Sequence, residues 1–245
     1  MSKKIVEKEL GIPANYQYKA IRSSNYIQAN WHRNKMCLVG KLIDLNKKMS
    51  VLDLGTGSGN FELLFSGKVK NIVGVDYNDE AIHFLRNLLP KRKIKNVNLI
   101  LDDIRELNKL EKQQKYDLIL MVDVIEHLNF EDVKNLFSNF RKYLKKNGKV
   151  LIITPNYQSF WLIIEYGLEY LGLAPKFHEH QHLSKLYKSN LLKLINDKHY
   201  HLEKLCTFNL VSYLIPFKNV SEKLAFWETK IPMPIGNLIA VVFSR

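Results

Sequence analysis

The chain has 245 residues, 46% of them hydrophobic, and its 37 basic against 24 acidic side chains leave a net charge of +13. That length and apolar content fit one elaborated domain with a sizeable core, and two cysteines, Cys37 and Cys206, make neither a disulfide framework nor a metal-spaced pair, which fits a reduced cytoplasmic compartment. The positive balance favours anionic partners, but the lysines are scattered, and Lys91-Arg92-Lys93 and Lys142 to Lys146 sit at expected helix ends, where solvated cations are common.

The first residues, Met1-Ser2-Lys3-Lys4, lead into charged rather than apolar sequence, unlike a signal peptide. Residues 1–49 read mostly as a helical extension, with Leu38, Leu42 and Leu45 on one stripe. Then comes Val51-Leu52-Asp53-Leu54-Gly55-Thr56-Gly57-Ser58-Gly59-Asn60: a short apolar run with an acid, followed by glycines at alternate positions before a helical segment. Glycine takes positive φ and carries no Cβ, so such a turn lets the backbone approach a ligand closely. A dinucleotide fingerprint would read G-x-G-x-x-G with its acid about 20 residues downstream. Here the acid, Asp53, lies two residues before the first glycine, and Asn60 stands where the third fingerprint glycine would fall.

Three further strand-like runs follow. Asn71 to Asp76 and Val97 to Ile104 carry the acids Asp76, Asp102 and Asp103 at their ends, and Tyr116 to Val122 leads into Asp123. Helical segments separate them, and Lys146-Asn147-Gly148-Lys149 breaks a helix before a fifth strand, Val150 to Ile153. Such alternation predicts a parallel sheet with crossover helices, its ligand site at the carboxyl ends of the strands. Two more strands are expected near Tyr200 to Phe208 and Asn237 to Phe243, with a helix from Val220 to Trp227 between them. Any one strand-end acid could be an ordinary helix cap. Four in register after four strand-like runs make coincidence improbable.

The glycine turn and the ordered acids resemble those of class I S-adenosylmethionine-dependent methyltransferases, a broad group that includes quinone-pathway O-methyltransferases. The resemblance covers about residues 31–208, most specifically 51–154. It implies an α/β, Rossmann-like fold: a mostly parallel seven-stranded sheet with an antiparallel last strand and helices on both faces. It also implies S-adenosylmethionine as cofactor, S-adenosylhomocysteine as product, and a cofactor site built from Asp53, Gly55, Thr56, Gly57, Asn60, Asp76, Tyr77, Asp103, Ile104, Met121 and Val122. In that set Asp53 orients the ammonium end and Asp76 accepts from the ribose hydroxyls, with Tyr77 against the adenine. Asp103 meets the adenine amino group, with Asp102 as the adjacent alternative, and Ile104 packs on the ring. The 1–49 extension becomes a candidate lid, with Tyr16, Tyr26, Trp31 and His32 facing the site or simply packing the helix onto the sheet.

Asp123-Val124-Ile125-Glu126-His127 resembles the E-x-x-E-H with which quinone-pathway and small-RNA 2′-O-methyltransferases hold a divalent cation together with a later histidine. Aspartate replaces the first glutamate, and His178, His180 and His182 follow at alternate positions, so either His180 or His182 could complete an acid–imidazole set. Many members carry the same pattern without metal, so a divalent ion is open but not expected. His127 and His182 are then the candidate general bases.

Two insertions, about 157–183 and 209–235, exceed the minimal fold of the 50–245 domain and are rich in aromatic and aliphatic residues. Phe160 to Leu173, the longest apolar stretch, contains Glu165 and Glu169 and is too short to span a bilayer. The expected function is methyl transfer to a small-molecule acceptor with an apolar, lipid-like part, in the cytoplasm, with peripheral membrane contact left open. The alternatives are a metal-assisted RNA 2′-O-methyltransferase and a cofactor-binding protein without turnover.

Overall fold

The computed structural model describes residues 13–111, 113–159, 167, 183–232 and 234–245. Residues 1–12, most of the expected 157–183 insertion and the histidines at 178, 180 and 182 lie outside them. Two helices, α1 (Tyr16–Ala20) and α2 (Tyr26–Leu42), precede β1 (Ser50–Leu54). The sheet is then laid down as α3 (Asn60–Phe65), β2 (Asn71–Asp76), α4 (Asp79–Lys91), β3 (Val97–Leu101) and β4 (Tyr116–Val122). After these come α5 (Phe130–Tyr143), β5 (Leu144–Pro155), α6 (Lys188–Asp197), β6 (His201–Phe208), α7 (Lys218–Glu228) and β7 (Leu238–Ser244).

The seven strands run in the order β3-β2-β1-β4-β5-β7-β6. β1 to β5 pair in parallel, and β7 runs antiparallel to both β5 and β6. The chain crosses from β3 to β4 over the far side of β1, so the connections diverge at β1 and β4, where open α/β sheets bind ligands.

Neighbouring residues on the central strands enter opposite cores. Val51, Ile72, Leu118 and Leu151 pack with α2 and α3, whereas Leu52, Val73, Ile119 and Ile152 pack with α5 and α6. A period of two with both faces apolar is what a parallel sheet covered by two helical layers requires.

Asparagines start three of the helices. Asn25 accepts from the N–H groups of Ile27 and Gln28, Asn78 from Glu80 and Ala81, and Asn129 from Asp132. These caps satisfy helix donors that have no carbonyl partner. The cap after β2 has a consequence for the site: Asn78 takes that task, so the strand-end acid Asp76 does not. One boundary departs from the sequence pattern. Lys146 to Lys149 does not end the helix; α5 stops at Tyr143, and β5 starts at once, with a register break opposite Tyr116 and Leu118.

Candidate cofactor cleft

The glycine turn is left-handed at each glycine, with φ of 80° at Gly55, 51° at Gly57 and 78° at Gly59. A Cβ on Gly55 would fall 2.4 Å from a Val124 methyl, so both conformation and space require glycine there. Gly55 and Thr56 donate to the Val75 carbonyl, and Gly57 donates to Asp76 Oδ2 at 2.8 Å. The other carboxylate oxygen of Asp76 accepts from Asn78 N–H, also at 2.8 Å. Asp76 therefore ties the glycine turn to the end of β2, and Tyr77 follows it with its side chain partly exposed.

A narrow cleft opens beside this turn. Asp53, Gly55, Thr56, Asn60 and Phe61 form one wall, Leu120, Val122 and Asp123 the second, and Gln17, His32, Lys35 and Met36 the third. Of the two β4 residues expected at the cofactor, Val122 lines the cleft, while Met121 is fully buried in the core on the opposite face. Strand alternation explains the split and also brings in Leu120.

The third wall comes from the N-terminal helices. Tyr18 N–H donates to Ser58 Oγ at 2.8 Å, and Asn60 Nδ2 donates to the Gln17 carbonyl at 3.1 Å, so α1 is fastened over the glycine turn. On α2, His32, Lys35 and Met36 share one face by helical spacing. The Lys35 ammonium is buried and paired with the carboxylate of Asp123. Asp123 itself takes the left-handed region, with φ 55°, unusual for a residue other than glycine. Burial, with Lys35 beside it, lowers the His32 pKa to about 3, so its imidazole is neutral at ordinary pH. His32 was legible as a lid candidate; Lys35, Met36 and Gln17 follow only once α1 and α2 are placed.

Two buried acids lie deeper. Burial raises the pKa of Asp53 well above the usual carboxylate range, reinforced by the neighbouring Glu62 carboxyl. Burial raises Glu62 too, while Thr56 Oγ1 donates to its Oε1 at 2.6 Å. Asp53 therefore sits in the cleft beside a second acid, with its charged form disfavoured. Beside it, Asn60 Oδ1 is buried and accepts no hydrogen bond. A buried acceptor without a donor and an acid pair short of a cation together fit the ammonium end of S-adenosylmethionine.

The remaining candidates are spread out. Asp102 accepts from the N–H groups of Asp103 and Lys109, so its carboxylate closes its own loop. Asp103 pairs with Arg105 at 2.6 Å, and Ile104 is buried with Leu107 and Leu110. Glu126 is buried and accepts from Thr154 Oγ1 at 3.0 Å, and burial pushes its pKa up to about 7. His127, next to it, is exposed and is not part of the cleft wall. His182 lies outside the described residues. Among the described residues no group of three or more histidine, cysteine, aspartate or glutamate side chains is placed to hold a metal ion.

A methyltransferase domain family matches residues 25–203. The chain belongs to this family of S-adenosylmethionine-dependent methyltransferases. The match starts at the N-cap of α2 and stops within β6, before residues 209–235. Among relatives of this methyltransferase-family chain, the ubiquinone biosynthesis O-methyltransferase of Rickettsia akari is 26% identical over 163 residues, 64% of this chain and 61% of that protein. The chain thus spans about three fifths of that relative's length. The protein of the same description from Pelagibacter ubique is 26% identical over 192 residues, 74% of this chain and 78% of the relative. The magnesium protoporphyrin IX methyltransferase of Synechocystis PCC 6803, solved with bound S-adenosylhomocysteine, superposes with a TM-score of 0.64. It shares 13% identity and covers 98% of this chain and 97% of its own, a likeness of fold.

Proposed function

We propose that this chain binds S-adenosylmethionine in the cleft between the glycine turn and α2 and transfers its methyl group to a small-molecule acceptor with an apolar part. The observation that carries the reading is the convergence of Asp53, Gly55, Thr56 and Asn60 with Val122 and Asp123 in one cleft, at the point where the sheet connections diverge. The cofactor supplies a methyl group already activated by its sulfonium. The protein therefore has to align the acceptor and exclude water rather than generate a strong nucleophile.

Each wall has a task in this reading. Asp53, Glu62 and Asn60 Oδ1 receive the cationic amino-acid end. Asp76 presents its oxygens to the ribose side from the position its bonds to Gly57 and Asn78 give it, and Asp103 and Ile104 serve the adenine side. The α2 wall, with neutral His32 and the Lys35–Asp123 pair, closes the cleft and faces the acceptor. Met36, Phe61, Leu120 and Val122 are the apolar members of a lining that is otherwise largely polar. The ubiquinone biosynthesis relatives support an acceptor with an apolar part.

The test is incubation with methyl-labelled S-adenosylmethionine and separate lipid-extract, RNA and protein fractions, with and without a chelator. Label in a lipid-extractable small molecule is expected. Label confined to RNA or protein would overturn the acceptor class. Binding of S-adenosylhomocysteine with no transfer to any fraction would replace the enzyme by a cofactor-binding protein.

A further inference from the structure

The second insertion carries an apolar surface that the cleft does not use. Among the described residues, ten large hydrophobic side chains are exposed, and five of them, Val211, Leu214, Phe217, Val220 and Trp227, fall between 211 and 227. Phe217 is 70% exposed and Trp227 58%. On α7 and its N-cap, Phe217, Val220, Leu224 and Trp227 recur at intervals of three, four and three, which places them on one stripe of the helix.

The opposite side of α7 is firmly seated. Ser221, Ala225 and Glu228 are buried, and α7 packs on α2. The Glu228 carboxylate accepts from the N–H groups of Leu210, Val211 and Ser212 and from Ser212 Oγ. This anchoring turns the insertion's buried side inward and leaves the aromatic stripe outside by construction. The cations around it face solvent as well: Lys218, Lys223 and Lys230 are exposed, while Glu228 is consumed inside and Glu222 is half-buried.

We infer that the exposed stripe of α7, with Leu214 and Val211 before it, is an interfacial anchor that seats the protein on an anionic lipid surface. Two bulky aromatics projecting from a short helix flanked by lysines match the chemistry of a bilayer interface, where the rings enter the acyl boundary and the ammonium groups meet lipid phosphates. At 11 residues α7 cannot cross a bilayer, so the contact is peripheral. The surface is also joined to the cleft: Tyr213 packs edge-on against Trp31 at 5.1 Å, and His32, the next residue, lines the cleft. Presentation of a membrane-dissolved acceptor rests on the function proposed above; lipid binding itself does not.

The experiment is flotation of the full chain with vesicles of phosphatidylcholine alone or mixed with phosphatidylglycerol. S-adenosylhomocysteine binding is measured by calorimetry on every variant as a check of fold and cleft. Binding to the mixed vesicles that weakens with salt is expected. Replacing Lys218, Lys223 and Lys230 together by glutamine should weaken it on the order of a hundredfold. Phe217→Ser with Trp227→Ser should weaken it at least about tenfold, with cofactor binding unchanged in both variants. Absence of flotation, or flotation undiminished by Phe217→Ser with Trp227→Ser, would overturn the inference. So would a dimer in sedimentation velocity that the same double substitution dissolves while vesicles bind nothing, which would assign the stripe to a second copy. Loss of cofactor binding by the wild-type chain would instead sink the methyltransferase reading and leave the flotation result standing.

Discussion

The floor of the cleft and the cap over it are both held by polar contacts, but of very different sequence range. In the floor, Gly57 meets Asp76 across 19 positions, and Thr56 meets Glu62 across 6. In the cap, Asn34 on α2 donates to Asn209 at 2.8 Å across 175 positions, Ser221 donates back to Asn34 across 187, and Asn30 donates to the Ile215 carbonyl at 2.6 Å. Within the cap, Glu228 adds a local knot, receiving four donors from residues 210–212, only 16 to 18 positions away. Short-range contacts leave a spacing pattern in the sequence; contacts between the two ends of the chain leave none. The N-terminal helices and the second insertion read as separate elaborations, yet they are one body in the structure.

The cap's largest liability is Glu228, the single acceptor for four donors. Glu228→Ala leaves three N–H groups and the Ser212 hydroxyl without their acceptor and should lower stability by about 3–5 kcal/mol, measured by urea unfolding. A loss below about 1 kcal/mol would show that water replaces the carboxylate and that the cap is loosely held.

Glu126 offers an effect of similar size with the opposite sign. Its folded pKa, about 7, lies above the ordinary 4.5 because burial disfavours the charged form. The folded chain holds this proton more tightly than the unfolded one, so the group's contribution to stability falls as pH rises from about 4.5 to 7. Glu126→Gln can still accept from Thr154 and should remove that loss, on the order of 3 kcal/mol as an upper limit. Unfolding curves of both proteins at pH 5 and pH 8 check it: the variant should gain on the wild type at the higher pH.

In the floor, Asp76→Ala removes the acceptor of Gly57 and Asn78 and the proposed ribose contact together. S-adenosylhomocysteine affinity should drop about a hundredfold. Asp103→Ala should cost only a few-fold, because that carboxylate already shares its charge with Arg105 near the surface. Equal losses by calorimetry would put the adenine side on a par with the turn.

The last effect joins the two regions. Lys35→Met strands the Asp123 carboxylate, which keeps some contact with solvent, so about 1–2 kcal/mol is expected rather than the full cost of a broken buried pair. Adding Asp123→Asn should recover most of it. Additive losses in that double-mutant cycle would mean the two groups do not act as a pair.

Much of the floor was legible because its chemistry is local. Alternate glycines demand left-handed backbone, and all three take it. Acids at strand ends reach the same edge because parallel strands with crossover helices bring their carboxyl ends together. Within that edge, sequence alone did not separate Asp102, which caps its own loop, from Asp103, nor show that Met121 turns away while Val122 and Leu120 face the cleft. The 3-10 turn that buries Glu126 places the candidate base His127 on the surface, a side its position in the sequence does not reveal.

The sequence by itself determined the sheet, its order of elements, the glycine turn and the family, since each depends on the period of side chains along a strand or helix and on backbone angles within a few residues. Only the tertiary structure decided the third wall. Lys35 and Met36 read as ordinary helix residues, and Asn34, Ser221 and Glu228 as ordinary polar positions on helices. They become a cleft wall and a buried network because folding brings Asn34 to Asn209 and Ser221 from more than 170 positions away, Lys35 to Asp123 from 88, and Glu228 back onto residues 210–212, where burial makes each unsatisfied donor costly.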